Sequence, residues 1–343
     1  MYNPLSLLII GVLTLGLFAW VLWPKRGLLA WWQRSQLDRK RVLIEDALKY
    51  LYDCEYKSKD ANIDNLSENL NIPGEQAEEL IGNLEKTGLI ISKKDQLHLT
   101  ETGRNYALRV IRIHRIWERY LADETSIAAK DWHHEADLKE HLLSFEDANI
   151  LASEMGNPVF DPHGDPIPSV SGEIPDYAGV ALDTMEVGTS GIITHIEDEP
   201  HTVYLQILAL GLNPGTNIII TEKTPEKIAF VADGERCILA PVFAKNVTVV
   251  RTKPHSKSIE EETKKYRRLT DLKPKETAVV SGISKACRGQ QRQRLMDFGI
   301  VPGTHVTIEM QSTFGDPTAY RVLDAVIALR KEHAQHIYIE QQQ

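Results

Sequence analysis

Cysteine is scarce in this chain: three residues in 343, Cys54, Cys237 and Cys287, with no C-x-x-C pair among them. That spacing excludes a disulfide framework and a thiolate zinc site, and it suits a reducing compartment. An excess of positive charge is also lacking. The 39 Lys and Arg stand against 48 Asp and Glu, a formal net charge of −9. A chain of that sign is no general coat for nucleic acid, although a local basic face stays open. His134-Glu135 begins an H-E-x-x-H pattern, but Leu138 holds the place of the second histidine, which excludes a zinc-protease helix. No nucleophile stands beside a general base, so the sequence does not point to an enzyme.

Long apolar runs are missing except for one. Leu5 to Trp23 is uncharged and apolar, about nineteen residues, long enough to cross a hydrocarbon core as a helix. Trp20, Trp23, Trp31 and Trp32 are placed as interfacial anchors, and Lys25, Arg26, Arg34, Arg39, Lys40 and Arg41 all follow. The basic n-region of an export signal is absent. The expectation is a single-pass anchor in the inner (cytoplasmic) membrane, residues 1–24, with a basic juxtamembrane segment at 25–42 and the bulk of the chain in the cytoplasm.

A length of 343 residues calls for more than one domain. Residues 43–106 read as three helices and a hairpin. Asp46 to Tyr52 is amphipathic, Ile63 to Leu70 is a short helix, and Glu75 to Lys86 turns Ala77, Leu80, Ile81 and Leu84 inward. Two strands follow around Lys93-Lys94-Asp95. Helix-turn-helix with a hairpin is a winged helix, whose usual work is DNA binding. Gln76 is placed to read adenine, with Asn83 or Lys86 assisting and Lys93 and Lys94 on the wing meeting phosphates. Glu75, Glu78 and Glu79 open the same helix and oppose a duplex. Motif and charge disagree.

The richest stretch chemically is His133 to His141. As a helix it sets His133, Asp137, Glu140 and His141 on one face, with Leu138 and Leu142 expected to form a buried stripe on another side. Upstream, Arg109 to Leu121 offers His114 and Glu118 one turn apart, with Val110, Ile113, Trp117 and Leu121 for burial. The His133–His141 stretch alone reads equally as a solvated polar face. Two of them, each pairing imidazole with carboxylate, suit a borderline divalent ion such as manganese, ferrous iron or zinc.

Pro and Gly dominate Gly156 to Asp176, a linker signal. Beyond it Gly211-Leu212-Asn213-Pro214-Gly215-Thr216 recurs as Gly299-Ile300-Val301-Pro302-Gly303-Thr304, a period of about 88 residues. Short β-branched strands flank each copy and read as two small β-barrels. Neither has a catalytic constellation, so binding or docking is their expected role.

On these residues Glu45 to Pro168 resembles the DtxR/MntR family of metal-dependent transcriptional repressors. The marks are Leu99-Thr100-Glu101-Thr102-Gly103-Arg104, the His114–Glu118 helix, the His133–His141 stretch and Asp161-Pro162-His163-Gly164-Asp165-Pro166-Ile167-Pro168. The two repeats resemble FeoA-type SH3-like domains, through Leu295 to Gly303 and Phe314-Gly315-Asp316-Pro317. The resemblance implies an α+β multidomain chain: winged helix-turn-helix at 43–106, metal-binding and dimerisation helices at 107–168, linker 169–178, barrels at 179–251 and 268–342, linker 252–267. It implies metal ligands Asp46, Asp137, Glu140 and His141 at one position and His114, Glu118 and His133 at a second. Asp46 and Asp137 make the site harder and favour Mn2+ or Fe2+ over zinc. Lys49 stands where the manganese branch has a further carboxylate. Glu199 or His201 is the candidate contribution of the first barrel.

The resemblance, the apolar run and the acidic helix together leave two functions. One is a membrane-tethered, homodimeric repressor that binds operator DNA when manganese or iron is bound. The other is a metal-sensing subunit of a manganese or ferrous-iron transporter, its winged helix used for protein contact.

Overall fold

The computed structural model describes residue 13 and residues 28–341, apart from 177, 253–266, 275, 285 and 313. The apolar run at 5–23 and most of the basic segment at 25–42 therefore lie outside the residues described in full. Among the described residues no helix is long and apolar enough to cross a membrane. The chain divides into two units, residues 1–111 and 112–343.

The first unit is a winged helix. Helix α1 (Leu28–Tyr56) begins well before the expected Asp46. Helix α2 (Ile63–Asn69) starts where Asn62 Oδ1 accepts the Asn65 N–H at 2.8 Å, a side-chain cap for an otherwise orphaned donor. Helix α3 (Gly74–Lys86) buries Ala77, Leu80, Ile81 and Leu84, the inward set read from the sequence. Leu48, Leu51, Leu66, Leu84 and Ile90 are its fully buried large side chains. Strands β1 (Ile90–Lys93) and β2 (Gln96–Leu99) pair from Ile90↔Leu99 to Lys93↔Gln96. At their tip Lys94 and Asp95 both take positive φ, 49° and 64°, as a two-residue hairpin turn demands. Thr100 then caps α4 (Glu101–Glu124), its Oγ accepting the Gly103 N–H at 3.0 Å.

The second unit holds the remainder of α4, then α5 (Trp132–Glu140), α6 (Phe145–Glu154) and two barrels. Ile113 and Ile116 of α4 pack on Ala148 and Ala152 of α6 and on Ile167. Leu121, Ala122 and Trp132 form a second small cluster. The apolar stripe expected on α5 does not exist as such. Leu138 and Leu142 are 58% and 75% exposed, and Trp132 and Ala136 are the buried residues instead. The helix is short, and its inner face is needed for ligand-type side chains.

The Pro- and Gly-rich stretch is likewise more than a linker. Phe160 bridges Pro166, and the intervening loop is buried at Asp161 and His163. Arg112 fixes its far end, donating to Pro168 O at 2.6 Å and to Asn149 Oδ1 at 2.9 Å.

The barrels share one topology. The first is a sheet of order β3-β8-β4-β5-β6-β7, built from Val180–Ala181, Val247–Thr252, Ser190–Ile196, Asn217–Lys223, Ile228–Ala232 and Glu235–Leu239. The second runs β9-β14-β10-β11-β12-β13, from Arg267–Arg268, Ile337–Gln341, Thr277–Ile283, His305–Gln311, Thr318–Val322 and Ala325–Leu329. Irregularities recur at matching places, Ile220/Glu222 in one and Ile308/Met310 in the other. The repeat in sequence is thus a repeat in register, not only in turn chemistry. Arg267 and Arg268, expected partly as linker, form the first strand of the second barrel.

Candidate metal centre

Helix α4 contributes two residues one turn apart, both almost fully buried: His114 at 4% and Glu118 at 1% exposure. Their side chains meet at 3.1 Å, His114 Nε2 to Glu118 Oε1. The other imidazole nitrogen of His114 lies 2.5 Å from Glu140 Oε2 and 3.4 Å from Asp137 Oδ1, both on α5. His133, at the start of α5, approaches Glu118 Oε1 with its Nδ1 at 3.2 Å. His141 ends the helix as its C-cap, with Nε2 3.5 Å from Glu140 Oε1. The buried Glu140 carboxylate therefore stands between His114 and His141.

Two elements outside these helices complete the cluster. In the Asp161–Asp165 loop, Asp161 Oδ1 accepts the N–H groups of His163, Gly164 and Asp165 at 2.8, 2.8 and 2.9 Å. That turn aims His163 inward, where it is 1% exposed. Gly164 has φ +98°, and a Cβ there would stand 1.9 Å from Thr194 O. Only glycine lets the loop lie against β4 of the first barrel. The contact is continued by Ile196 N–H donating to His163 O at 2.9 Å and by His195 Nε2 at 3.4 Å from Asp165 Oδ2. Just past β4, Asp198 reaches His133 Nδ1 at 2.9 Å.

The result is three overlapping groups whose ligand-type atoms lie within 4.8 Å of one another: His114, Glu118 and His133; His114, Asp137 and Glu140; Glu118, His163 and Asp198. A metal ion fits this arrangement on a physical ground. His163 Nε2 is buried and, among the described residues, has no hydrogen-bond partner, a cost that a cation accepting its lone pair removes. Imidazole nitrogen with carboxylate oxygen is a donor set for manganese, ferrous iron or zinc.

The charges agree. Burial alone would raise the Glu118 carboxyl, but the His114, His163 and His133 rings outweigh it and hold it well below the usual range. Burial would lower His133, yet Asp198 and Glu118 pull it up to about 11. Asp198 is itself depressed by His133 against its burial. Asp161 is pushed well above the carboxylate range by burial, then by Asp165 and Glu118. Arg115 binds the loop from below, donating to Pro166 O at 2.6 Å and to Asp165 Oδ1 at 3.2 Å.

Of the residues expected from the sequence, His114, Glu118, His133, Asp137 and Glu140 converge in this unit, with His141 beside Glu140. Asp46 lies in the first unit, half-buried on α1. His163 and Asp198 were not among the expected ligands. The only sequence signal for His163 was a histidine framed by Asp161 and Asp165 in a Pro/Gly stretch. Of the two first-barrel candidates, Glu199 is exposed and 3.8 Å from His133 Nε2. His201 is exposed and belongs to none of the groups found among the described residues. Gln76, Asn83, Lys86, Lys93 and Lys94 are all exposed on the first unit, as are Glu75, Glu78 and Glu79.

Comparison with known proteins gives this geometry its context. Residues 100–169 match the family described as "Iron dependent repressor, metal binding and dimerisation domain", and 180–251 and 267–341 each match the FeoA domain. The iron-dependent repressor IdeR of Mycobacterium bovis is 32% identical over 124 residues, 36% of this chain and 54% of that protein. The chain thus spans about half the length of the curated relatives it matches. A "probable metal transport system membrane protein" of Chlamydia trachomatis is 35% identical over 83 residues, 24% of this chain and 18% of that protein. Among solved structures, a manganese-dependent transcriptional repressor in complex with manganese superposes with a TM-score of 0.56 at 26% identity, covering 61% of this chain and 99% of that one. The chain carries a repressor-type metal-binding and dimerisation domain followed by two FeoA domains.

Proposed function

We propose that this chain is a homodimeric transcriptional regulator that binds DNA when a divalent ion, Mn2+ or Fe2+, is bound, and that it is held at the inner membrane by residues 5–23. The observation that carries the reading is the convergence of buried His114, Glu118, Glu140 and His163 with half-buried His133 on a winged-helix chain. Bound metal supplies a positive centre that several neutral and anionic side chains share, and so favours the arrangement in which they meet. The residues that hold it are Glu118, His163 and Asp198, with His114 and His133 at their side and Asp137 and Glu140 beyond. Asp46 is kept as a further ligand on the family resemblance alone. Leu138, Leu142 and Ile150, exposed large apolar residues, suit a face that a second copy covers. The test is a shift of genomic promoter fragments at low salt with and without Mn2+ or Fe2+. No metal-dependent shift on any fragment overturns the DNA-binding reading. Extraction of the full chain from membranes by alkaline carbonate would overturn the tether.

One observation favours a second reading. Glu75, Glu78 and Glu79 are exposed at the start of the helix that would face phosphates. A metal-sensing subunit of a transporter would use that face for protein contact. Co-purification with a metal permease, lost in Glu75→Lys/Glu78→Lys/Glu79→Lys, distinguishes it.

A further inference from the structure

The manganese-dependent repressor that aligns over nearly its whole length covers 61% of this chain. What the second FeoA barrel adds is visible in where it docks. Its helix α7 (Gly289–Asp297) starts against the last turn of α4, the helix that carries His114 and Glu118. Gly289 has φ +54°, and a Cβ there would stand 2.6 Å from Thr125 O, 2.8 Å from Ala122 O and 3.2 Å from Asp123 O. Backbone packs directly on backbone. Gln290 Nε2 donates to Glu124 O at 3.1 Å, occupying one of the carbonyls that a helix end leaves without a partner. On the other side Arg288 donates to Pro214 O of the first barrel at 3.5 Å. A second tie runs from Arg268, whose guanidinium holds both Glu235 oxygens, at 2.6 and 2.7 Å, on the hairpin of that barrel.

The second barrel thus grips two bodies at once: the end of the ligand-bearing helix and the barrel that supplies Asp198. We infer that the second FeoA barrel is a brace that holds the first barrel against α4, and that Arg288, Gly289 and Gln290 are positioning residues for the metal ligand Asp198. Asp198 follows β4 on a barrel that would otherwise rest on α4 mainly through the Asp161–Asp165 loop. Fixing that barrel from its far side lowers the ordering cost of bringing Asp198 to Glu118, His163 and His133 when the ion arrives.

This inference rests on the metal-binding reading above, and the experiment separates the two. Mn2+ is titrated into the full chain and its variants, with free Mn2+ read by electron paramagnetic resonance and folding checked by thermal melting. Arg288→Ala/Gln290→Ala is expected to weaken the ion that uses Asp198 about tenfold, as Asp198→Ala does, and to leave the remaining binding unchanged. Combined with Asp198→Ala, it should cost nothing further, because both act through the same ligand. Gly289→Val, which drives a branched side chain into α4, should act in the same direction. If it fails to fold, the paired variant still decides. Wild-type affinity in Arg288→Ala/Gln290→Ala, or losses that add to those of Asp198→Ala, overturns the brace. If the wild-type chain takes up no Mn2+, it is the metal reading itself that fails.

Discussion

His163 Nε2 and Glu118 Oε1 face each other at 3.7 Å inside the protein, too far for a hydrogen bond, and among the described residues the histidine nitrogen has no hydrogen-bond partner. A buried nitrogen in that state costs free energy unless something enters between the two. His163→Ala should therefore lower Mn2+ affinity by at least about tenfold, the loss typical even of residues that only support a ligand. It should also cost the metal-free chain less than the about 3–5 kcal/mol usual for deleting a buried ring, since an unsatisfied polar group is removed with it. Isothermal titration with Mn2+ and a thermal melt in chelator check both halves. A destabilised metal-free variant with unchanged affinity would show that the ring serves packing against Trp132 and Tyr204, which it meets edge-on at 5.9 and 5.1 Å between centroids.

Proton competition gives a second prediction. His133 is raised to about 11, because Asp198 and Glu118 outweigh the burial that opposes its charge. A ligand nitrogen must lose its proton, so Mn2+ affinity should rise with pH from 6 to 8 and protons should be released on binding. Stability in chelator should run the other way. A raised histidine contributes its full stabilisation below its unfolded value of about 6.5 and loses it as pH rises through about 11. His133→Ala should flatten both profiles. An unchanged proton release in that variant would assign the proton to another group.

Much of this was legible in the chain. The winged helix could be read because Ala77, Leu80, Ile81 and Leu84 keep helical spacing and a Lys-Lys-Asp turn separates two apolar pairs. The barrels could be read because a Gly-x-x-Pro-Gly-Thr turn recurs with its strands. What failed has three separate causes. Periodicity assumes that a helix buries apolar side chains, so it assigned Leu138 and Leu142 to an interior that α5 gives instead to Trp132, Ala136 and Glu140. Composition treats Pro and Gly as breaks, and so passed over His163 in a loop ordered by three hydrogen bonds to Asp161. Asp198 was hidden beside Glu199, since neighbours on an irregular segment point apart and no repeat says which one turns inward.

The close approach at Gly164 predicts a coupling between loop and barrel. Gly164→Ala would set a Cβ 1.9 Å from Thr194 O at a backbone angle that side chains disfavour. The loss of stability should be about 3 kcal/mol, at the upper end of overpacking costs, and the first barrel should become more open to hydrogen exchange along Ser190–Ile196. Metal affinity should fall with it, because His163 and Asp198 reach the site from the two sides of that contact. A variant that melts earlier yet binds Mn2+ as before would show that the loop and barrel are held together elsewhere.

The charge of helix α3 decides how the winged helix works. Lys93 and Lys94 are exposed at the wing and Gln76 at the helix start, while Glu75, Glu78 and Glu79 are exposed on that same helix. Phosphate contacts by lysine release counterions, so Lys93→Ala and Lys94→Ala should each reduce the slope of log affinity against log salt by about 1 and weaken all DNA sequences alike. Gln76→Ala should act differently, relaxing preference at one base by about 1–3 kcal/mol with the slope unchanged. Glu75→Gln/Glu78→Gln/Glu79→Gln removes repulsion and should tighten non-specific DNA binding most at low salt, with metal affinity unaltered. Fluorescence anisotropy of specific and random duplexes between 50 and 200 mM salt measures all three. Were the triple variant to bind random duplex no better than wild type, the face carrying those glutamates would not be the one that meets DNA, and the winged helix would be working through protein contact.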